Sequence, residues 1–261
     1  MSSFLDLQRT GPVARLFLNR PEVRNAFNEG VIAEFTAAFA QFAADPTLRA
    51  VVLGGHGKAF CAGADLGWMR AMADYTWEQN RADAQALADM LYQVWSCPVP
   101  VVGRIHGDTY AGGVGLAAAC DVLVAAEGVQ FCLSEARLGL LPATIGPYVV
   151  RALGEQASRR YFVTAERFDA ARAHALGFVH EVVAPEALDA RVEEIVAAIV
   201  ANGPTAVRAC KALVHDVAHR PVDEALRADT ARRIADIRAS AEGREGVQSF
   251  LSRREPAWRS Q

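Results

Sequence analysis

Apolar residues along this chain recur in two rhythms, and their alternation sketches its elements. Two short β-rich runs open it, residues 4–7 and Val13–Leu18, divided by a Gly11-Pro12 turn. A polar loop over residues 19–28 carries Pro21 and Arg24. Apolar residues then return at helical spacing over 31–42 until Asp45-Pro46 stops them. Residues 50–53 form a short, fully apolar run, which predicts a strand buried in a parallel sheet. A Gly-rich segment follows over 54–67. Residues 66–95 are polar but helical in period, Cys97-Pro98-Val99-Pro100 breaks them, and Val101–Ile105 predicts a second buried strand.

A second Gly-rich turn, residues 107–115, opens a helix of small residues that runs through Ala119. Strands are predicted over 122–125 and 129–133, and the loop after them carries Glu135. From about Pro147 the chain is nearly all helix-patterned, with one apolar, strand-like break over 178–183. No internal repeat, low-complexity tract or flexible linker interrupts it. The order predicts an α/β core followed by a helical C-terminal third.

Composition narrows the function classes. Of the 261 residues, 52% are hydrophobic and 22% charged, enough apolar content for a large core and too much for a disordered chain. No apolar run approaches the ~20 residues a membrane-spanning helix needs. The start, Met1-Ser2-Ser3-Phe4-Leu5-Asp6, shows no basic segment and no long apolar segment, so no signal peptide is expected. The net charge of −3 is spread with both signs interspersed, and residues 28–44 contain no Lys or Arg. Both features argue against nucleic acid as the main partner, because duplex binding needs a basic face. Cys61, Cys97, Cys120, Cys132 and Cys210 are odd in number and never spaced as C-x-x-C, which predicts free thiols in a reducing cytoplasm.

Two segments share a layout of apolar strand, Gly-rich turn and helix start. The first is Gly54-Gly55-His56-Gly57-Lys58-Ala59-Phe60-Cys61-Ala62-Gly63-Ala64-Asp65-Leu66. The second is Gly107-Asp108-Thr109-Tyr110-Ala111-Gly112-Gly113-Val114-Gly115-Leu116. Glycine lets a ligand approach the backbone closely, and a following helix aims free N–H groups at it. Two such turns facing each other would give one oxygen two backbone donors, each typically worth ~2.7–4 kcal/mol in an oxyanion hole. Tight βα turns of a Rossmann-like sheet explain the glycines equally well on spacing alone. Neither turn carries G-x-G-x-x-G or a Walker lysine.

Four blocks taken together are more specific. Asn19-Arg20-Pro21-Glu22-Val23-Arg24-Asn25-Ala26, residues 59–66, residues 107–121 and residues 131–142 resemble, in order and spacing, the enoyl-CoA hydratase/isomerase (crotonase) superfamily. The likeness runs through the tail at 250–258. Phe131-Cys132-Leu133-Ser134-Glu135, residues 141–150 and Thr164-Ala165-Glu166-Arg167-Phe168-Asp169 are similar to the bacterial methylglutaconyl-CoA hydratases of leucine breakdown. The resemblance implies an α/β crotonase (ClpP/crotonase-like) spiral of ββα turns, with residues 1–195 as the core. It also implies a helical region over 196–261 that builds a homotrimer or a hexamer of paired trimers. It implies an acyl-CoA thioester whose carbonyl is held by Ala64 and Gly112. CoA would lie along Arg24, Ala26, Ala62, Asp65 and Leu66, with Ala143 also toward the substrate. CoA arrives with the substrate, so no metal and no other cofactor is implied, nor any nucleic-acid or membrane partner.

Well-studied hydratases of that family set two glutamates around one water. The second matches Glu135, which could take a proton from water and return one to the α-carbon; a surface ion pair with Arg137 is the plainer alternative. The first should stand six residues before Asp121, and that position is Gly115. Either Glu135 handles both proton transfers or another group assists, Asp108 and Tyr110 being nearest in sequence. Isomerases and decarboxylases of the same family also work with one acidic residue.

Other candidates carry less. His215 and His219 stand at i, i+4 as a zinc site would need, without a zincin glutamate, so a solvated helix face is favoured. His106 adjoins the second turn as either a pocket-lining or a hydrogen-bonded structural residue. Cys61 reads as a buried thiol. Trp68, Met69, Met72 and Tyr75 fit either an acyl pocket or amphipathic packing. A glutaconyl substrate has a distal carboxylate, for which Arg70, Arg104 and Arg137 are candidate partners. The tail over 250–258, with Arg253 and Arg254, is expected to make an oligomer contact.

Overall fold

The computed structural model describes residues 4–259, so the N-terminal reading falls partly outside the described residues. β1 (Leu5–Thr10) and β2 (Val13–Leu18) form an antiparallel hairpin about Gly11, whose φ of 53° glycine adopts freely. β1 is longer than the apolar pattern predicted because Gln8, Arg9 and Thr10 extend it along an exposed sheet edge. Asn28 caps α1 (Glu29–Ala44), accepting from the Val31 N–H, and Asp45 ends the helix. Phe35, Phe39 and Phe42 go inward from α1, which packs beside α3 (Trp77–Trp95).

β3 (Ala50–Gly55), β5 (Val101–Ile105), β7 (Val122–Ala126) and β10 (Glu181–Val183) complete a six-stranded sheet in the order β1-β2-β3-β5-β7-β10. Apart from the hairpin its pairs are parallel. Every residue of β3 is buried, as its continuous apolar run requires. The smaller sheet consists of β4 (Ala59–Cys61), β6 (Asp108–Tyr110), β8 (Gln130–Cys132) and β9 (Arg167–Asp169), in that order.

The connectivity produces the spiral. β3 lies in the large sheet and β4 in the small one, and α2 (Leu66–Ala73) and α3 lead back to β5. The turn repeats as β5, β6 and α4 (Gly112–Ala118), and again as β7 and β8 followed by α5 (Gly146–Leu153) and α6 (Glu155–Thr164). Each pass donates one strand to each sheet, which is the crotonase α/β architecture that the motifs implied. β4, β6 and β9 are three residues long, too short to show a period, and β4 and β6 lie inside the segments predicted as Gly-rich turns.

The helical run predicted over 66–95 is two helices. Thr76 restarts the second with a capping box, accepting from the Gln79 N–H while the Gln79 side chain accepts from the Thr76 N–H. After α7 (Ala170–Ala175) and β10, α8 (Leu188–Val200) packs across β3, β5 and β7. The dividing line at 195/196 therefore falls within a helix. α9 (Pro204–Val217), α10 (Glu224–Ala239) and α11 (Ala241–Leu251) follow. The tail folds back on its own chain, where the Trp258 indole N–H donates to the Ala201 carbonyl at 3.2 Å. Among the described residues, no helix is long and apolar enough to cross a membrane.

Candidate active site

Three of the predicted residues leave the small sheet at the same end. β4 stops at Cys61 and the chain reaches Ala64; β6 stops at Tyr110 and the chain reaches Gly112; β8 stops at Cys132 and the chain reaches Glu135. The strands are adjacent and parallel in the order β4-β6-β8, so the position of Gly112 is central. The carboxyl ends of parallel strands, where chains turn outward and leave backbone groups free, are the usual ligand sites of open α/β sheets.

The first two turns touch. Gly63 has a φ of +90°, and a Cβ there would lie 2.9 Å from the Ala111 Cβ and 3.6 Å from the Gly112 nitrogen. A Cβ on Gly113 would lie 2.5 Å from the Cys61 carbonyl oxygen. Glycine at both positions is what lets the turns close on one another. Their neighbours are tied down: Phe27 N–H donates to Gly63 at 2.7 Å, Asp65 N–H to Phe27 at 2.8 Å, and Ala111 N–H to Cys132 at 2.8 Å. Ala64 N–H and Gly112 N–H are left over, with no hydrogen-bond partner among the described residues. Gly112 is the first residue of α4, whose N–H has no intrahelical acceptor. Ala111 before it is held at φ 47°, an uncommon conformation for alanine, and such strain gathers at functional sites.

Glu135 opens a 3₁₀ turn, Glu135–Leu138. Its Oε2 is buried with no hydrogen-bond partner. Burial pushes the carboxyl above the usual range, and its own backbone N–H only partly opposes this. The ion pair with Arg137 is not formed: that guanidinium donates to the Ala165 carbonyl at 2.5 Å. A half-buried, unpaired carboxylate with a raised pKa is built to exchange protons rather than to hold charge.

The candidate helpers Asp108 and Tyr110 engage each other, the phenol donating to the carboxylate at 3.0 Å. Asp65 is spent on its own turn. It caps α2 by accepting from the Gly67 and Trp68 N–H groups, and it pairs with Arg20 at 2.8 Å. Arg20 also donates to the Ala26 carbonyl, and the Ala62 N–H donates to the Arg24 carbonyl, so residues 20–26 are fastened along the first turn. Arg24 and Leu66 are exposed there, Ala62 is half-buried and Ala26 is buried. Ala143 is exposed beyond Glu135.

Asn25, which the sequence reading quoted without a role, is fully buried and does the fastening. Its amide accepts from the Arg20 N–H and donates to the His56 and Ala59 carbonyls. Its φ of 57° is the left-handed conformation that Asn tolerates.

Several other candidates have different duties. Burial pushes the Cys61 thiol up to about 12, which excludes it as a thiolate. His106 shares its Nε2 with the Gly57 carbonyl at 3.2 Å, and burial lowers its pKa, so it bridges the two Gly-rich segments as a neutral ring. His215 and His219 do not share a helical face: His219 lies past the end of α9, and His215 stacks on Trp95 with centroids 4.0 Å apart. Trp68 is buried and donates to Asp83, and Tyr75 reaches Glu29, so both brace α2 against its neighbours. Arg104 is engaged by Asp189 of α8. Arg70 and Arg137 have no acidic partner among the described residues.

Residues 8–261 match the family model for enoyl-CoA hydratase/isomerase. An enoyl-CoA hydratase of Alternaria alternata is 34% identical over 254 residues, covering 94% of this chain and 80% of its own. A carnitinyl-CoA dehydratase of Citrobacter koseri is 30% identical, with 99% of each chain covered. Among solved structures, an enoyl-CoA hydratase of Mycobacterium smegmatis superposes with a TM-score of 0.94 at 37% identity, over 99% of this chain and 100% of the other.

Proposed function

Because this chain belongs to the enoyl-CoA hydratase/isomerase family and is an enoyl-CoA hydratase-type enzyme, we propose that it hydrates 3-methylglutaconyl-CoA across its 2,3 double bond, with Glu135 as the single acid-base group. The observation that carries this reading is the buried, unpartnered Glu135 oxygen, just past the end of β8, the strand next to the one that leads to Gly112.

In this account the thioester carbonyl accepts hydrogen bonds from the Ala64 and Gly112 N–H groups. Glu135 removes a proton from water as the oxygen bonds to C3, and the π electrons move onto the thioester as an enolate. Both N–H groups stand where that negative charge develops, which favours the transition state over the substrate. The protonated Glu135 then delivers its proton to C2, restoring the carbonyl and the carboxylate. One carboxylate closes the cycle without a second acid.

CoA lies along Arg24, Ala26 and the 62–66 backbone, where the Ala62 and Asp65 N–H groups are tied down and that of Ala64 is left for the thioester. The preference for a glutaconyl chain rests on the motif likeness and on the two guanidiniums, Arg70 and Arg137, that lack an acidic partner. Arg104, held by Asp189, is the weakest of the three candidates.

The test is to incubate the protein separately with 3-methylglutaconyl-CoA and crotonyl-CoA and to follow product mass and enoyl absorbance. Gain of one water, faster on the branched acid, is expected. Faster hydration of crotonyl-CoA would overturn the substrate assignment. A shifted double bond or loss of carbon dioxide would favour isomerase or decarboxylase chemistry, the second reading, which rests on glycine at position 115.

A further inference from the structure

Gly115 sits in the buried first half of α4, one helical turn beyond Gly112. A Cβ built on it would lie 2.1 Å from the Cγ2 and 2.4 Å from the Cβ of Ile145. Ile145 is 2% exposed, at the head of α5, in the segment that runs on from Glu135. The conflict is with the Ile145 Cβ itself, so no rotamer of isoleucine relieves it, and alanine at 145 would still occupy that point. Only glycine at 145 vacates the space.

We infer that Ile145 sets the carboxylate complement of the site: its side chain stands in the volume a side chain at position 115 would need, leaving Glu135 as the one carboxylate beside an aliphatic wall. Gly115 and Ile145 are then a coupled pair, in which a larger residue at one position requires the smallest at the other. The inference rests on the hydratase reading given above.

The experiment compares parent, Gly115→Ala, Ile145→Ala, Ile145→Gly, Gly115→Ala with Ile145→Ala, Gly115→Ala with Ile145→Gly, and Gly115→Glu with Ile145→Gly. Thermal melts read the shared volume without reference to any substrate. Gly115→Ala is expected to lower Tm in the parent background; that cost, read against the matching Ile145 single variant because emptying position 145 is itself destabilising, is rescued by Ile145→Gly and not by Ile145→Ala. Unchanged Tm in Gly115→Ala, or equal rescue by both substitutions, would overturn the shared volume.

The pH dependence of kcat/KM on crotonyl-CoA then reads where that volume faces. Two carboxylates at one site hold each other's ionisation apart. The Glu135 inflection should therefore lie at higher pH in Gly115→Glu with Ile145→Gly than in Gly115→Ala with Ile145→Gly. Identical profiles in those two variants would overturn the catalytic half of the inference, since a purely structural role moves Tm and not the inflection. A parent that hydrates neither thioester would overturn the functional reading, while the melts would still decide the packing claim.

Discussion

Glu135 gives up hydration without gaining a partner, and that imbalance has consequences for both rate and stability. Its pKa is raised in the folded state, chiefly by burial. The folded protein therefore binds more protons than the unfolded chain between the ordinary carboxylate value, ~4.3, and the raised one. Stability falls as pH rises through that window, and the whole penalty is present above it. Glu135→Gln should accordingly melt at a higher temperature than the parent at neutral pH, with the gain disappearing in melts below about pH 4. A Gln variant less stable than the parent at pH 7 would mean the carboxylate has a partner after all. In the parent, kcat/KM should fall as pH drops through an inflection above the ordinary carboxylate range, because the base must be ionised to accept the water proton. An inflection at the unperturbed value would place Glu135 in water rather than in the site.

At the scale of elements, two glycines and one cap hold the site together. Gly113→Ala would put a methyl 2.5 Å from the Cys61 carbonyl oxygen, a backbone atom that no side-chain rotation removes. We expect a loss of about 1–3 kcal/mol or more in chemical denaturation, together with a drop in kcat/KM as the turns separate. Asp65→Ala removes the α2 cap and the Arg20 pair together. The cap alone should cost about 1 kcal/mol, and a half-exposed turn left loose beside Ala64 should raise KM for the acyl-CoA. An unchanged KM would detach the cap from the ligand. The same elements show what the sequence could reveal. Val13–Leu18 and the doubly buried strands were legible from their apolar runs, and Asp45 announced the end of α1. The break between α2 and α3 carried a readable Thr76-Gln79 capping pair, which the continuous helical period hid. β4, β6 and β9 were illegible because, unlike the equally short β8 and β10, they lie in no longer apolar run set apart from Gly-rich or polar neighbours, and their pairing comes from the spiral. Glu135, Ala64 and Gly112 could be named from motifs, but their meeting at one sheet end is a property of the topology. Ile145 was invisible, since nothing local to position 145 says what it fills at 115.

Across the whole molecule, long-range ties fasten the helical third to the sheets. Lys211 of α9 meets Asp121 at 2.6 Å with only 7% of its side chain exposed, and the same carboxylate oxygen accepts from the Val101 N–H at the start of β5. Lys211→Met would leave that carboxylate without its cation. We expect a cost near the lower end of roughly 3–5 kcal/mol, read as a fall in Tm, because Asp121 keeps some contact with water. A change within experimental error would show that α9 docks by its apolar face alone. The exposed pairs on α10, such as Arg232 with Asp236, should contribute far less. The spiral brings three strand ends side by side, and the proposed chemistry rests on one carboxylate just past the third of them. The most direct test is Glu135→Gln assayed with crotonyl-CoA and 3-methylglutaconyl-CoA, alongside acyl-CoA binding by calorimetry. Binding should be unchanged, with kcat reduced on the order of 10²–10⁴-fold. A folded variant that binds acyl-CoA and hydrates it at the parent's rate would contradict it.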